Sequence, residues 1–82
     1  MDDEIQKKID LHGVVCPLNF VRTKLALEEL EPGDRLEVIL DEGDAMLNVP
    51  RSLKDEGHTI ISVEPLGETY RIVVKKSEYV PG

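Results

Sequence analysis

The chain contains a single cysteine, Cys16, among its 82 residues, together with two histidines and no tryptophan. One cysteine excludes an internal disulfide, a Cys-x-x-Cys redox pair and a metal site built from several thiolates. Any thiol chemistry therefore runs through Cys16 alone, and a second sulfur has to come from another molecule. Because a chain with this cysteine content gains nothing from an oxidising environment, we expect it in the reducing cytoplasm.

Basic residues and long apolar runs are also scarce. The chain has 10 lysines and arginines and 17 acidic residues, which gives a net charge of -7. Nucleic-acid binding needs a basic face that neutralises phosphates, so we expect neither nucleic acid nor an anionic membrane as a partner. No apolar run approaches the ~20 residues of a membrane span. The acidic start, Met1-Asp2-Asp3-Glu4, does not resemble a signal peptide.

Hydrophobic periodicity predicts four strands and two helices. The predicted strands cover residues 5–11, 36–40, 58–63 and 69–75, and the first helix covers residues 17–30. The second helix is expected to begin at Asn48, a good N-cap, because Pro50 is unfavourable deep inside a helix. Gly57 is expected to cap its end. The residues predicted to face inward from the first helix are Asn19, Thr23, Ala26, Leu27 and Leu30.

This order of elements, β-α-β-α-β-β, predicts an α/β (α+β) fold. We expect a two-layer sandwich with a four-stranded mixed sheet and both helices on one face, because the chain is too short to cover both faces. The first crossover should place the first two strands parallel, and the last two strands should pair antiparallel. We expect a single domain over residues 1–82, folded from about residue 5 to residue 76, with short loose ends.

Cys16 lies directly before Pro17, and proline suits the first position of a helix. Cys16 is therefore predicted as the N-cap of the first helix. Free backbone N–H groups and the positive end of the helix dipole would favour its thiolate, which is the reactive form. A small, buried and inert cysteine that happens to precede a proline is the alternative, and the spacing alone leaves the two nearly balanced.

Two blocks of sequence resemble the TusA/SirA-like sulfur-carrier family. The first is Asp10-Leu11-x-Gly13-x-x-Cys16-Pro17, at a predicted junction of strand and helix. The second consists of Leu36-x-Val38, Asp41, Asn48-Val49-Pro50-Arg51 and Glu56-Gly57-His58, and is similar to the family's D-x-I-P-R…x-G-H stretch. The resemblance extends from about Ile9 to Lys76.

The first block departs from the family pattern at one position. The usual motif is Cys-Pro-x-Pro, and here Asn19 stands in place of the second proline. Asparagine restores a backbone N–H and adds a side-chain amide, which we expect to change the surface that a partner protein contacts rather than the chemistry. His12 stands where the family often carries arginine, and a charged His12 would favour a nearby thiolate.

The resemblance implies a sulfurtransferase-type carrier that accepts and donates sulfane sulfur as a persulfide on Cys16, without a cofactor or a metal. It implies as partners a cysteine desulfurase or another persulfide donor, and a downstream thiol acceptor protein. The other residues assigned to the site are Gly13, Pro17 and Asn19 at the helix start, with His12 and Arg51 as accessory side chains.

Three alternatives remain at this stage. The first is a protein-interaction or regulatory module in which Cys16 is dispensable. The second is a Cys–His hydrolase using His12 or His58, although neither histidine has an obvious orienting acid and so short a chain leaves little room for a pocket. The third is a metal site built from Asp41, Glu42, Asp44 and His58, which is better explained as a solvated acidic turn.

Overall fold

The computed structural model describes residues 5–15 and 18–77. Their elements are β1 (Lys7–Asp10), α1 (Leu18–Glu28), β2 (Arg35–Asp41), α2 (Asp44–Asp55), β3 (Thr59–Pro65) and β4 (Thr69–Lys75). The predicted order and the two-layer fold are confirmed, and the strand bounds differ from the predicted ones by no more than a few residues. The predicted loose ends fall largely outside the described residues.

The four strands form one mixed sheet in the order β1-β2-β4-β3. β1 runs parallel to β2, with Ile9 opposite Val38. β4 runs antiparallel to both β2 and β3. Both predicted pairings are confirmed, and β4, the last strand in the sequence, lies inside the sheet between β2 and β3.

The core lies between the sheet and the two helices. Alternate residues of β2 face it, and Leu36 and Val38 are at most 1% exposed. Residues of both helices belong to the same cluster, which places α1 and α2 on one face of the sheet, as predicted. The buried hydrophobic residues of this cluster are Leu11, Ala26, Leu27, Leu36, Val38, Leu40, Ala45, Val49, Leu53, Ile72 and Val74.

α2 begins four residues earlier than predicted. The helix runs over Asp44–Asp55, so the prediction that it starts at Asn48 is wrong, and Pro50 lies inside it. Its N-cap is Gly43, which supplies no side-chain cap. The predicted role of Gly57 is confirmed: it has φ +95°, and its N–H donates to the Lys54 carbonyl at 3.0 Å, as in a left-handed helix ending.

The helix tolerates Pro50 because its buried stripe begins before the proline. Pro50 has no N–H to donate to the carbonyl of Met46, so α2 lacks one internal hydrogen bond. Helices in proteins are stabilised mainly by burying an apolar face, and that gain outweighs the missing bond here. The buried residues of α2 recur at intervals of four: Ala45, Val49 and Leu53.

The chain after β4 crosses the turn that joins α1 to β2. Lys76 N–H donates to the Asp34 carbonyl at 2.8 Å, and Gly33 N–H donates to the Lys76 carbonyl at 3.1 Å. The Lys76 Nζ donates to the Leu30 carbonyl at 2.6 Å. These contacts close the end of the sheet at which β2 begins. Among the helices of the described residues, none has the length and apolar character needed to cross a membrane.

Candidate functional site: the loop between β1 and α1

The site predicted from the sequence lies where β1 and β2 end. These strands are parallel, so Asp10 and Asp41 lie at the same edge of the sheet. Beyond β1, Leu11 N–H still donates to the Ile39 carbonyl at 2.9 Å. The Leu11 side chain is only 3% exposed and anchors the loop in the core. The loop over residues 11–15 is therefore anchored in the core at its first residue.

A tight turn at Gly13 directs the chain from the sheet toward α1. Val14 N–H donates to the Leu11 carbonyl at 3.0 Å. His12 N–H donates to the Asp10 Oδ1 atom at 2.9 Å. Gly13 has φ +79°, and a Cβ built there would meet nothing within 4 Å. The turn thus requires glycine for its backbone conformation and not for space.

Asp41 holds this turn from the neighbouring strand. Its Oδ2 atom accepts the Gly13 N–H at 2.9 Å, and its Oδ1 atom lies 3.7 Å from the His12 Nε2 atom. Sequence reasoning placed Asp41 in the second block of the resemblance and considered it only as a metal ligand, with no role in holding the loop. Its position at the end of a buried strand that runs parallel to β1 is the signal that could have assigned one. The carboxyl ends of neighbouring parallel strands lie side by side at the same end of the sheet.

The first turn of α1 is organised by Asn19. Its N–H donates to the Val15 carbonyl at 3.1 Å, and its Oδ1 atom accepts the Phe20 N–H at 2.7 Å. Its own carbonyl accepts the Thr23 Oγ1 hydroxyl at 2.8 Å. Asn19 is 1% exposed and Thr23 is fully buried. The predicted inward position of both residues is confirmed.

This burial corrects one expectation about Asn19. We expected its N–H and amide to be part of the surface that a partner contacts. The side chain is buried, and the N–H already has an acceptor within the chain. The cause is the helical spacing, since Asn19 lies one turn before Thr23 on the face that packs against the sheet.

Cys16 and Pro17, and with them the predicted N-cap and the predicted proline start, lie outside the described residues. The residues on either side are exposed, Val15 by 72% and Leu18 by 44%. The carbonyl that accepts the first described i→i−4 hydrogen bond of this helix is that of Val15.

An open cleft of about 420 Å³ lies beside this loop. One wall is the turn around Gly13, and the other is the connection from β2 to α2. Three carboxylates belong to the second wall, so the cleft is acidic. The described residues that line it are Gly13, Val14, Val15, Asn19, Asp41, Glu42, Asp44 and Ala45.

The remaining predicted site residues fall into two groups. His12 lies in the loop, and its side chain is 66% exposed beside Asp41. Arg51 is exposed on α2 and is not among the described residues that line the cleft. It follows Asp44 by seven residues, which is about 10 Å along a helix.

His58 lies at the opposite end of the sheet, directly before β3. Its Nδ1 atom accepts the Ser77 N–H at 3.0 Å. Burial lowers the pKa of His58 below 6.5, and Lys76 and Lys24 lower it further, whereas Glu56 raises it. A neutral imidazole with an occupied Nδ1, placed far from the loop after β1, does not support a hydrolase pair of Cys16 with His58.

A metal site is not supported either. Within residues 5–15 and 18–77, no group of three or more histidine, cysteine or carboxylate side chains is arranged to hold a metal ion. The acidic turn after β2 also lacks His58, which the sequence alone had left as a conceivable fourth ligand. This end of the sheet thus offers a glycine turn held by the Asp41 carboxylate, next to the start of α1 and beside an open acidic cleft.

The mixed four-stranded sheet with two helices on one face defines a class of small α/β proteins. The comparison with known families identifies the class. Residues 7–76 match the family described as "Sulfurtransferase TusA", and the chain belongs to this family. The match covers both blocks that carried the resemblance.

Individual relatives agree with this assignment. A protein of Archaeoglobus fulgidus is 46% identical over 74 residues, which cover 89% of this chain and 84% of the relative. A protein of Methanocaldococcus jannaschii is 41% identical over 70 residues, covering 85% of this chain and 93% of the relative. Both names begin "Putative sulfur carrier protein".

The fold is also found in a solved structure. The crystal structure of a SirA-like protein from Desulfitobacterium hafniense superposes with a TM-score of 0.74 at 27% sequence identity. The superposition covers 88% of this chain and 99% of that one. The order of elements described above is therefore a property that this chain shares with a SirA-like protein.

Proposed function

We propose that this protein carries sulfane sulfur as a persulfide on Cys16. It takes the sulfur from a cysteine desulfurase or another persulfide donor and passes it to a thiol of an acceptor protein. Membership of the TusA family supports a role in sulfur transfer. The persulfide and its position on Cys16 are the specific content of the proposal.

The chemistry requires one thiolate and no cofactor. The Cys16 thiolate attacks the terminal sulfur of the donor persulfide, a new S–S bond forms, and the donor's S–S bond breaks. The donor sulfur leaves as a thiolate with the electron pair of the broken bond. An acceptor thiolate then attacks the terminal sulfur on Cys16 and releases Cys16 as a thiolate, so neither step needs an oxidant or a reductant.

One observation carries the proposal: the only cysteine of the chain follows the loop after β1, between two exposed residues, in a chain of this family. A second cysteine could attack the persulfide and release its sulfur by forming a disulfide. Since this chain has none, a persulfide on Cys16 persists until another molecule supplies a thiol. A reducing compartment such as the cytoplasm suits a carrier of this kind.

The surroundings of the loop suit a protein partner better than a small molecule. The cleft is open, and three apolar side chains of α1 lie in the solvent at helical spacing. Such a stripe next to a reactive loop is typical of an interaction surface. Its residues and their exposed fractions are Leu18 with 44%, Val21 with 43% and Leu25 with 53%.

The test is intact mass spectrometry of the protein incubated with a cysteine desulfurase and cysteine. We expect a species heavier by one sulfur atom that disappears on treatment with a thiol reductant. The rate of iodoacetamide alkylation should also rise with pH around a midpoint below the ~8.5 of a free cysteine. An unmodified mass after incubation would favour the interaction module, in which Cys16 is dispensable.

A further inference from the structure

The chain after β4 is bonded to a histidine side chain at Ser77. The Ser77 N–H donates to the His58 Nδ1 atom at 3.0 Å. The Ser77 side chain lies against the turn that ends α2, since a Cβ built at Gly57 would be 3.5 Å from the Ser77 Oγ atom. Ser77 therefore covers the turn formed by Gly57 and His58 and is hydrogen-bonded to it.

The backbone of His58 is fixed independently of Ser77. The His58 N–H donates to the Leu53 carbonyl at 3.0 Å, and the Gly57 N–H donates to the Lys54 carbonyl at 3.0 Å. This pair of bonds is the Schellman ending of a helix, and it belongs to α2 itself. The imidazole is thus presented to Ser77 from a fixed position, and through it the end of α2 is joined to the chain after β4.

The bond to Ser77 requires a neutral imidazole. A neutral ring carries a proton on one nitrogen and accepts at the other. Because Nδ1 accepts from Ser77, the proton of the neutral ring lies on Nε2. A further proton has to bind at Nδ1, and the charged ring then donates at both nitrogens and accepts at neither. Protonation of His58 and the bond to Ser77 therefore exclude each other.

The surroundings of His58 determine the pH at which the ring takes up this proton. Half-burial disfavours the charged form and lowers the pKa of His58 below 6.5. Lys76, in the chain after β4, and Lys24 of α1 lower the pKa further, whereas Glu56 at the end of α2 raises it. The bond is accordingly present at neutral pH and is lost as the pH falls through a value below 6.5.

Two further observations concern the charges at this end of the sheet. Glu56, which favours the charged ring, is itself paired with Lys24, with 3.4 Å between Oε2 and Nζ. β4 places Lys75 at the same end, opposite Thr59, the residue after His58. Lysines thus come to this end from α1, from β4 and from the chain beyond it.

We propose that His58 is a pH-sensitive latch on the chain after β4. The neutral imidazole holds Ser77 against the end of α2, and a proton taken from the solvent by Nδ1 releases it. The backbone bond from Lys76 to Asp34 does not titrate, so the release begins at Ser77. The open latch uncovers the turn at the end of α2. This device is independent of the chemistry proposed for Cys16, and its test needs no sulfur transfer.

An NMR titration of the unaltered protein tests the latch. The chemical shifts of the Ser77 amide and of the His58 ring should change together, with one midpoint below pH 6.5. The protection factor of the Ser77 amide should be about two- to tenfold lower on the acidic side of this midpoint, as for the loss of one hydrogen bond. A Ser77 amide that stays unchanged while His58 titrates would overturn the proposal. A neutral ring with its proton on Nδ1, as shown by the ring ¹⁵N shifts, would overturn it as well.

Two substitutions separate the acceptor from the titration. His58→Asn places an acceptor oxygen near the position of Nδ1 and does not titrate, so the Ser77 amide should stay protected at both pH values. His58→Leu has no acceptor, and protection should be low at both. His12→Asn is the matched control, because His12 is an exposed histidine in the loop after β1, and it should leave the response of the Ser77 amide unchanged. A response to pH that persists in His58→Leu would show that another group controls Ser77, and the proposal would be overturned.

Discussion

The two ends of the sheet differ in how their turns are held. At the closed end, where β2 begins, the chain after β4 crosses the turn before β2 and is bonded to it on both sides. At the site end, where β1 and β2 finish, Asp41 accepts the Gly13 N–H, and Val15 and Leu18 are exposed to solvent. The groups at the closed end are Leu30, Gly33, Asp34, His58, Lys76 and Ser77.

Under the proposed function, this difference assigns stability to the closed end and sulfur transfer to the site end. At the closed end, backbone groups of Gly33, Asp34 and Lys76 bond to one another within the chain. The site end has exposed apolar side chains, among them Val15 with 72% of its surface exposed, and an open acidic cleft. We expect substitutions at the closed end to change the free energy of unfolding, and substitutions at the site end to change sulfur transfer.

The largest effect is expected from Cys16→Ser. It should abolish sulfur loading and leave the circular dichroism spectrum nearly unchanged, because serine is also suited to a helix start. Incubation with a cysteine desulfurase and labelled cysteine, followed by intact mass spectrometry, measures the loading. If the Cys16→Ser protein still gained labelled sulfur, Cys16 would not be the sulfur carrier. The reactivity could then not be assigned to the site end of the sheet.

Asp41→Ala should have the next largest effect on transfer. It removes the acceptor of the Gly13 N–H and the partner of His12, so the loop is held less firmly, and we expect loading to fall roughly tenfold. Asp41→Asn keeps an acceptor oxygen and should stay within about twofold. Loading rates of both variants, measured at equal concentration, decide between the hydrogen bond and the charge.

The closed end supplies the matched control for this experiment. Asp34 Oδ2 accepts the Glu31 N–H at 3.0 Å, a turn bond of the same kind as that of Asp41. Asp34→Ala should lower stability and leave the loading rate unchanged. Equal losses of loading in Asp34→Ala and Asp41→Ala would show that the two ends are not separable.

Lys76→Met should affect stability alone. It removes the half-buried bond from Nζ to the Leu30 carbonyl and keeps the backbone bonds of Lys76. The free energy of unfolding should fall by about 1.5–3 kcal/mol, as for other hydrogen bonds to a charged group. Urea unfolding measures it, with Lys8→Met, an exposed lysine of β1, as the control that should change little. If Lys76→Met lost sulfur loading while its free energy of unfolding stayed unchanged, the separation between the two ends of the sheet would be contradicted.

The smallest effect concerns the pH dependence of the closed end. Because the pKa of His58 is lowered by burial, the unfolded chain binds a proton more readily than the folded one. This contribution to stability is present above pH 6.5 and is lost as the pH falls below it. His58→Gln should therefore weaken the loss of stability between neutral and mildly acidic pH, as measured by urea unfolding on either side of pH 6.5. An unchanged loss would show that other groups determine it.

Much of the fold was predictable because the relevant signals are local. The four-residue spacing of Asn19, Thr23 and Leu27 describes a face of α1 that the structure buries as expected. Burial in β4 does not alternate, because Ile72, Val73 and Val74 are all buried. The start of α2 was not predictable from propensity, because the unfavourable Pro50 is outweighed by packing that involves residues distant in sequence. The position of β4 inside the sheet was not predictable either. A local sequence pattern indicates which residues of a strand face the core, but it does not indicate which strands lie beside it.

The site was predicted in outline by the cysteine, the proline and the glycine of one short segment. The contacts that hold this segment in place were identified only from the structure. Asp41 lies 28 residues from the Gly13 N–H that it accepts, and only the parallel pairing of β1 and β2 brings them together. Asn19 was assigned to the site, but its burial and its bond to Val15 depend on how α1 sits on the sheet.

The inner position of β4 has a consequence for how the protein is made. Among the described residues β4 is synthesised after the other three strands, yet it is the partner of both β2 and β3. Until residues 69–75 have left the ribosome, two strands expose unpaired backbone groups, and exposed strand edges promote association between chains. The sheet can thus be completed only once residues 69–75 are available, and a chain without them would lose the centre of its sheet rather than its margin.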